Sequence, residues 1–378
     1  MPKLLLAATT ALTLRSFLLP HVRRMKDDGW GVDGAAHGIL EDEACREAFD
    51  SCFETEWVRD PRCLSAILRS FRRIRHIVRT GRYDIVHVHT PVAAAVTRFA
   101  LKDMNAAERP KIIYTAHGFH FYKGAPLKNR LLFYPVEKYL SRFTDLLITI
   151  NREDCGCARG FDAKRVEYLP GVGVDVARFR DCRSSADRGS LGVPEDAYLL
   201  LSAGELNANK NHAEVLHALA QTGDSGIHYV IAGEGPLRKD LRELAERLGI
   251  GAQLHLVGYR HDMPELCRAA DCFVLPSKRE GLPVSLMEAA ASGLPLICTR
   301  IRGCTDIAAV YPDCRLYGSG DIKTLAELLR GRPKRSEKGA CGLPEEVFGI
   351  DAAAESSARL YKEILAGGSC SGLTENQK

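Results

Sequence analysis

Short, unbroken apolar runs recur along this 378-residue chain, and a stretch with helical spacing follows each of them. In the first half they fall at 3–8, 85–89 (IVHVH), 112–116 (IIYTA) and 146–150 (LLITI), separated by helical patterns near 17–26, 62–79, 92–105 and 128–142. A sheet with one wet face would alternate apolar and polar residues. Apart from His87 and His89 in IVHVH these runs do not alternate, so both faces must be covered, and the intervening helices supply the cover. The expected class is α/β with doubly wound, parallel, Rossmann-like sheets.

The same alternation restarts after 171–195, a Gly-rich and then charged segment that reads as a crossover. Strands are expected at 198–202, 229–232, 254–257, 272–275 and 295–299, with helices at 211–221, 237–248, 263–269 and, after Glu280, one running to Ser292. This predicts two domains, residues 1–180 and 181–350. A helix at 351–366 would pack back across the first domain, and 367–378 would form a flexible tail. Between 31 and 61 the pattern supports only a short strand and a helix. Two such domains facing each other make a cleft at the carboxyl ends of their strands, where ligands bind.

No apolar run approaches the length of a membrane-spanning helix. The opening MPKLLLAATTALTLRSFLLP could pass for a signal peptide, but it lacks a clear cleavage site and reads better as a buried strand followed by a helix. Thirteen Cys are dispersed without zinc spacing, which suggests reduced thiols in a cytosolic protein, with Cys272 and Cys298 as inert core residues. The formal charge of +4 is uneven: residues 1–180 hold 29 Lys and Arg against 21 Asp and Glu. Eight Arg (Arg59, Arg62, Arg69, Arg72, Arg73, Arg75, Arg79 and Arg82) interleave with apolar residues at helical spacing. That segment is either a solvated helix face or a patch for anionic lipid headgroups or a pyrophosphate-linked lipid. Nucleic acid is disfavoured, because no recognition motif or aromatic stacking series accompanies the charge.

The densest chemistry lies in 279–295, REGLPVSLMEAAASGLP. It places Glu280 in a loop, Glu288 about two turns into a helix, and a run of backbone N–H groups between them. Carboxylates suit sugar hydroxyls, and a helix N-terminus suits phosphate. Glu288 also fits an S-x-x-E capping box with Ser285. Glu280, outside the helix beside Gly281 and Pro283, has no such structural duty. Lys210 in AGELNANKNH follows the first strand of the second domain, with Gly204 and Glu205 in the same loop, and could set a cation against a diphosphate. Gly233, Glu234 and Gly235 read first as a turn. Gly258 could let a planar base approach the backbone, or simply end a strand. His117, after the strand in YTAHGFHFYKG, could donate to a sugar hydroxyl or phosphate. His87 and His89 share one strand face without a carboxylate or Cys at matching spacing, so they read as buried, hydrogen-bonded residues and no metal site is expected.

The chain resembles family 4 glycosyltransferases of the two-Rossmann-domain GT-B type, and more narrowly the bacterial members that build capsular or exopolysaccharide repeat units. The resemblance runs through IVHVHTP, YTAHGFHFYKGAP, LITINRED, GELNANKNH, IAGEGPL, VGYRHDMPEL and SKREGLPVSLMEAAASGLP, with the E-x7-E signature on Glu280 and Glu288. It implies that Glu280 holds donor-sugar hydroxyls and Glu288 the ribose. The backbone of Gly281, Leu282, Pro283 and Val284 would line the sugar and phosphate site. Lys210 would bind the diphosphate and His117 would contact the transferring sugar. Two departures stand out. Glu205 replaces an Arg frequent in the family, and TTALTLRSFLLPH replaces a Gly-rich N-terminal loop, leaving contacts there to Thr10, Ser16 and backbone.

The reaction implied is a retaining transfer from a nucleotide-sugar, UDP-linked, to a polyprenyl-diphosphate-linked sugar acceptor, without cofactor or metal. The setting implied is cytoplasmic, peripheral on an anionic membrane surface. Two alternatives are a nucleotide-sugar epimerase of the same fold and a non-catalytic nucleotide-sugar-binding partner, the latter supported by Glu205.

Overall fold

The computed structural model describes residues 1–57, 64–105, 107–335 and 342–367. They divide into two units: Met1–Gly173 together with the segment from Ile350, and Val174–Gly349. Each is built around one fully parallel sheet.

In the first unit the strands are β1 (Lys3–Thr10), β2 (Gly31–His37), β3 (Cys52–Glu54), β4 (Ile85–His89), β5 (Lys111–Ala116), β6 (Leu146–Thr149) and β7 (Val166–Tyr168). They lie in the order β3-β2-β1-β4-β5-β6-β7, and every neighbouring pair is parallel. The central strands β1, β4 and β5 are buried along almost their whole length, as unbroken apolar runs require. The helix Leu64–Gly81 turns Ile74, Ile77 and Val78 into this core, beside Ala93, Ala94 and Leu101 of the helix Pro91–Leu101. The region 31–61 holds more than one short strand: β2 and β3 flank the helix Glu43–Ala48, which Asp42 caps. The N-terminal stretch read as a loop is helical from Ala11, as Ala11–Phe17 and Leu19–Asp27.

The last helix among the described residues, Ile350–Leu365, belongs to this first unit. Tyr361 rests against Trp30, and Lys362 pairs with Asp28 at 2.7 Å.

The second unit contains β8 (Tyr198–Ala203), β9 (Ile227–Ala232), β10 (Leu254–Gly258), β11 (Cys272–Leu275), β12 (Leu296–Thr299) and β13 (Cys314–Tyr317). Their order is β10-β9-β8-β11-β12-β13, again parallel throughout. The chain winds outward from β8 to β10 and then returns to pair β11 on the other side of β8. Loops leaving the carboxyl ends of β8 and β11 therefore emerge side by side, at the point where the winding reverses. Both units match the expected doubly wound class.

Cys272 and Cys298 are both buried, which suits them to a packing role; burial pushes the Cys272 thiol up to about 12, while the contact with Cys304, with burial behind it, holds the Cys298 thiol well above its ordinary value. Arg59 and Arg62 lie outside the described residues. Among those described, no helix is long and apolar enough to cross a membrane.

Candidate active site

The loop after β8, GELNANKNH, is organised by its own asparagines. The Asn207 side-chain oxygen, Oδ1, accepts from the backbone N–H of Asn209 and of Lys210, both at 3.0 Å, which closes a tight turn. Asn209 then straps this loop to the one after β11. Its side-chain amide donates to the Arg279 carbonyl at 3.0 Å, and its own carbonyl accepts from Lys278 N–H at 2.8 Å. Lys210 is left pointing along the reversal, where Nζ meets Glu280 Oε1 at 2.7 Å. The side chains are only 20% and 13% exposed. Gly204 has φ +151°, and a Cβ there would meet the Lys210 stem at 3.0 Å, so the lysine lies along bare backbone.

Glu280 is held from behind. Arg302, almost fully buried in the loop after β12, donates Nε–H to the Glu280 carbonyl at 3.0 Å. The next residue, Gly303, has φ +77°, and a Cβ there would lie 2.3 Å from the Gly281 carbonyl oxygen. Three strand-end loops thus fix one short segment, 280–283. Leu282 anchors it in the interior, at 7% exposure.

The helix Val284–Ala291 begins behind Pro283, which supplies no side-chain cap. The expected Ser285–Glu288 capping box is therefore absent. The helix starts one residue before Ser285, so Ser285 lies inside the first turn rather than at its cap. Glu288 is the fifth helical residue, little more than one turn in. Burial pushes its carboxyl up to about 7, against the opposing pull of Arg178. A half-buried carboxyl with no cap to serve is well suited to hydroxyl donors from a ligand.

Other candidate positions divide in two. Glu205 is exposed and accepts from Asn207 Nδ2 at 2.9 Å, within its own loop. Gly258 ends β10, two strands away from β8, and its carbonyl accepts from Gly233 N–H at 2.7 Å. That bond gives Gly233 and Gly258 a structural duty.

His117 belongs to the first unit, just beyond β5. Asp154, held by the Asn151 side chain at 2.9 Å, accepts from Phe119 N–H at 3.0 Å and so braces the His117 loop. Behind His117 lies a row of buried histidines. His117 Nε2 meets His89 Nδ1 at 3.0 Å, and the His89 ring lies 4.1 Å from that of His87. His87 is bound by Tyr361 at 2.5 Å and Thr115 at 2.8 Å, while His21 meets the Val172 carbonyl at 3.2 Å. Burial holds these rings neutral: His117 is lowered to about 4, His87 to about 3, and His89 and His21 also fall. His21, His87 and His89 line a cavity of about 20 Å³, room for no more than a water molecule. No group of three or more His, Cys, Asp or Glu among the described residues is arranged to hold a metal ion. Thr10 precedes the helix Ala11–Phe17 without capping it and meets Thr13 Oγ1 at 3.2 Å, and Ser16 is exposed on that helix.

The sequence reading missed Asn209, Arg302 and Gly303. The signal for the last two was their position just after an apolar strand on the same sheet edge as Lys210 and Glu280.

The chain is similar to known proteins along its length. Residues 3–151 match the family described as glycosyl transferase 4-like, and 184–331 match glycosyl transferases group 1. A Bacillus subtilis (strain 168) protein bearing the name glycosyltransferase EpsD is 38% identical over 346 residues, covering 89% of each chain. An Escherichia coli UDP-Gal:alpha-D-GlcNAc-diphosphoundecaprenol alpha-1,3-galactosyltransferase is 28% identical over 62% of each chain. Among solved structures, Anabaena HepE in complex with UDP superposes with a TM-score of 0.77 at 18% identity, over 96% of this chain and 100% of that one. Two parallel Rossmann-like units, a lysine and a carboxylate joined across the winding reversal, and this relationship together place the chain in the GT-B glycosyltransferases, as an enzyme related to the EpsD-like capsular and exopolysaccharide group.

Proposed function

We propose that this glycosyltransferase moves a sugar, with retention at the anomeric carbon, from a UDP-linked donor to a saccharide carried on polyprenyl diphosphate. The single observation that carries the reading is the contact of Lys210 with Glu280 at the reversal point of the second sheet. Unliganded, the two neutralise each other. With donor bound, Lys210 Nζ turns to the diphosphate and Glu280 is freed to accept from sugar hydroxyls, while Glu288 accepts from the ribose.

In the reaction, the acceptor oxygen bonds to the anomeric carbon as the bond from that carbon to the diphosphate breaks. The acceptor proton leaves for the departing phosphate or solvent. Negative charge grows on the diphosphate oxygen, and Lys210 and the amides around Val284 supply positive potential where it grows. In this reading those groups meet the charge without a metal ion, and His117 orients the transferring sugar.

The donor class is supported by HepE, solved with UDP and with UDP-glucose, and by the galactosyltransferase named for UDP-Gal. The acceptor class is supported by the diphosphoundecaprenol in that enzyme's name. We place the enzyme in the cytoplasm, at the inner face of the cell membrane.

The test is a panel of nucleotide-sugars incubated with lipid extract, with products identified by mass and anomeric configuration by NMR. A mass increment on a lipid diphosphate with retained configuration is expected. Donor isomerised in the absence of acceptor would instead identify an epimerase.

A further inference from the structure

We infer that the helix Leu127–Ser141 is the membrane-docking element of the first unit, its outer side entering the interfacial layer of an anionic bilayer. The inference rests on the proposed lipid-linked acceptor and extends it by naming the surface. Leu127, Leu131 and Leu132 are 60–70% exposed, and Val136 and Tyr139 nearly half. At about 100° per residue these five positions spread over the outward half of the helix, with Leu131, Leu132, Val136 and Tyr139 grouped within about 140° of one another. Scattered exposed apolar residues are ordinary, whereas five on the outward half of a 15-residue helix form a patch.

Charge decides what the patch meets. The helices Leu64–Gly81, Pro91–Leu101 and Leu127–Ser141 lie side by side over the first sheet. Together they contain a single carboxylate, Glu137. That one is turned inward, where it accepts from Arg98 Nη2 at 2.8 Å and from Tyr114 at 3.4 Å. The bases face outward: Arg72, Arg73 and Arg79 on the first helix, and Lys128 and Arg130 on the third, while Arg69 is paired with Glu56 at 2.7 Å. Leu68 and Phe99, each nearly half exposed, lie among them. A nucleic acid or a soluble polyanion would use the bases and leave the leucines without purpose. A bilayer uses both, the leucines among the upper acyl carbons and the bases at the phosphates. The helix is too short and too charged to span, so it lies in the interface plane.

The experiment uses the full chain with phosphatidylcholine vesicles carrying about 30% phosphatidylglycerol. The variant Leu127→Ser/Leu131→Ser/Leu132→Ser alters exposed side chains only, so its melting temperature should match wild type. Its vesicle partitioning should fall at least about tenfold, because three buried leucines are lost from the lipid. In Leu131→Trp, the indole emission should shift to the blue on adding vesicles and be quenched by brominated acyl chains. Undiminished binding of the triple serine variant, or an indole that ignores the brominated lipid, overturns the inference. So does sedimentation showing a dimer that the serine variant dissolves, since the ridge would then face a second copy of the chain. Transfer to a water-soluble, short-chain acceptor separates the two levels: if neither protein uses any lipid diphosphate, the acceptor reading fails. If both use it and bind vesicles equally, only the docking surface fails.

Discussion

Replacing Glu288 with Gln should make the empty protein more stable and the donor bind worse, and the stability gain should depend on pH. The Glu288 carboxyl is raised from an ordinary 4.5 to about 7, chiefly by burial. Folding therefore favours its protonated form: its contribution is fully present below about 4.5 and is lost as pH rises through about 7. Integrating between those values, ionisation costs the folded second unit about 3 kcal/mol near pH 8.5 and under about 1 kcal/mol near pH 5. Gln keeps the shape and never ionises, so it escapes this cost. For a unit of this size that corresponds to a melting temperature higher by about 5–10 °C at pH 8.5, and by little at pH 5. The assay is thermal or urea unfolding of both proteins at the two pH values, following the transition of the second unit. Binding should move the other way. Losing charge-assisted bonds to ribose should weaken UDP by about 10–100-fold, read by calorimetry. A Gln variant equally shifted at both pH values refutes the buried carboxyl, and unaltered UDP affinity refutes its ribose role.

Lys210→Met should lower kcat by about 10²–10³, and unchanged turnover removes it from the diphosphate site. Gly303→Ala should reduce kcat/KM for donor, since a Cβ would meet the Gly281 carbonyl at 2.3 Å and push 280–283 out of place; unaltered kinetics would show the loop tolerates the shift. The first unit should lose stability on acidification. Its histidines have lowered folded values, so their contribution is complete above about 6.5 and disappears towards about 4 and 3. Urea midpoints from about pH 7 to 4.5 should show more than one proton taken up on unfolding, and a flat profile would contradict the buried neutral row.

The parts of the fold that were legible in the sequence are those where burial on both faces forces a uniform strand. IVHVH, IIYTA and CFVL could be placed nearly to the residue for that reason. Strand β2, GVDGAAH, was obscured because small residues and Asp33 replace the branched apolar run, and β3 and β7 are three residues each. Strand β13 carries Arg315, so its edge position hid it. In the site, Lys210 and Glu280 were visible as residue types in the right loops. Their contact was not, since it depends on strand order, which local spacing does not encode. Ser285 and Glu288 misled for the converse reason. The spacing of a capping box was present, but Pro283 sets the helix start one residue earlier. The histidine row was half visible: alternation puts His87 and His89 on one face, while His21 and His117 join from other elements only in the fold.

The first unit is interrupted in sequence by the whole of the second. During synthesis, the segment up to Gly173 leaves the ribosome without the helix Ile350–Leu365, so Trp30 has no Tyr361 ring to cover it and His87 keeps Thr115 but lacks the Tyr361 hydroxyl. The second unit is continuous and can complete its core while the first waits. Chains truncated before residue 350 should therefore carry a finished second unit and an unfinished first, because the sixteen-residue helix that completes the first unit is made only after the whole of the second.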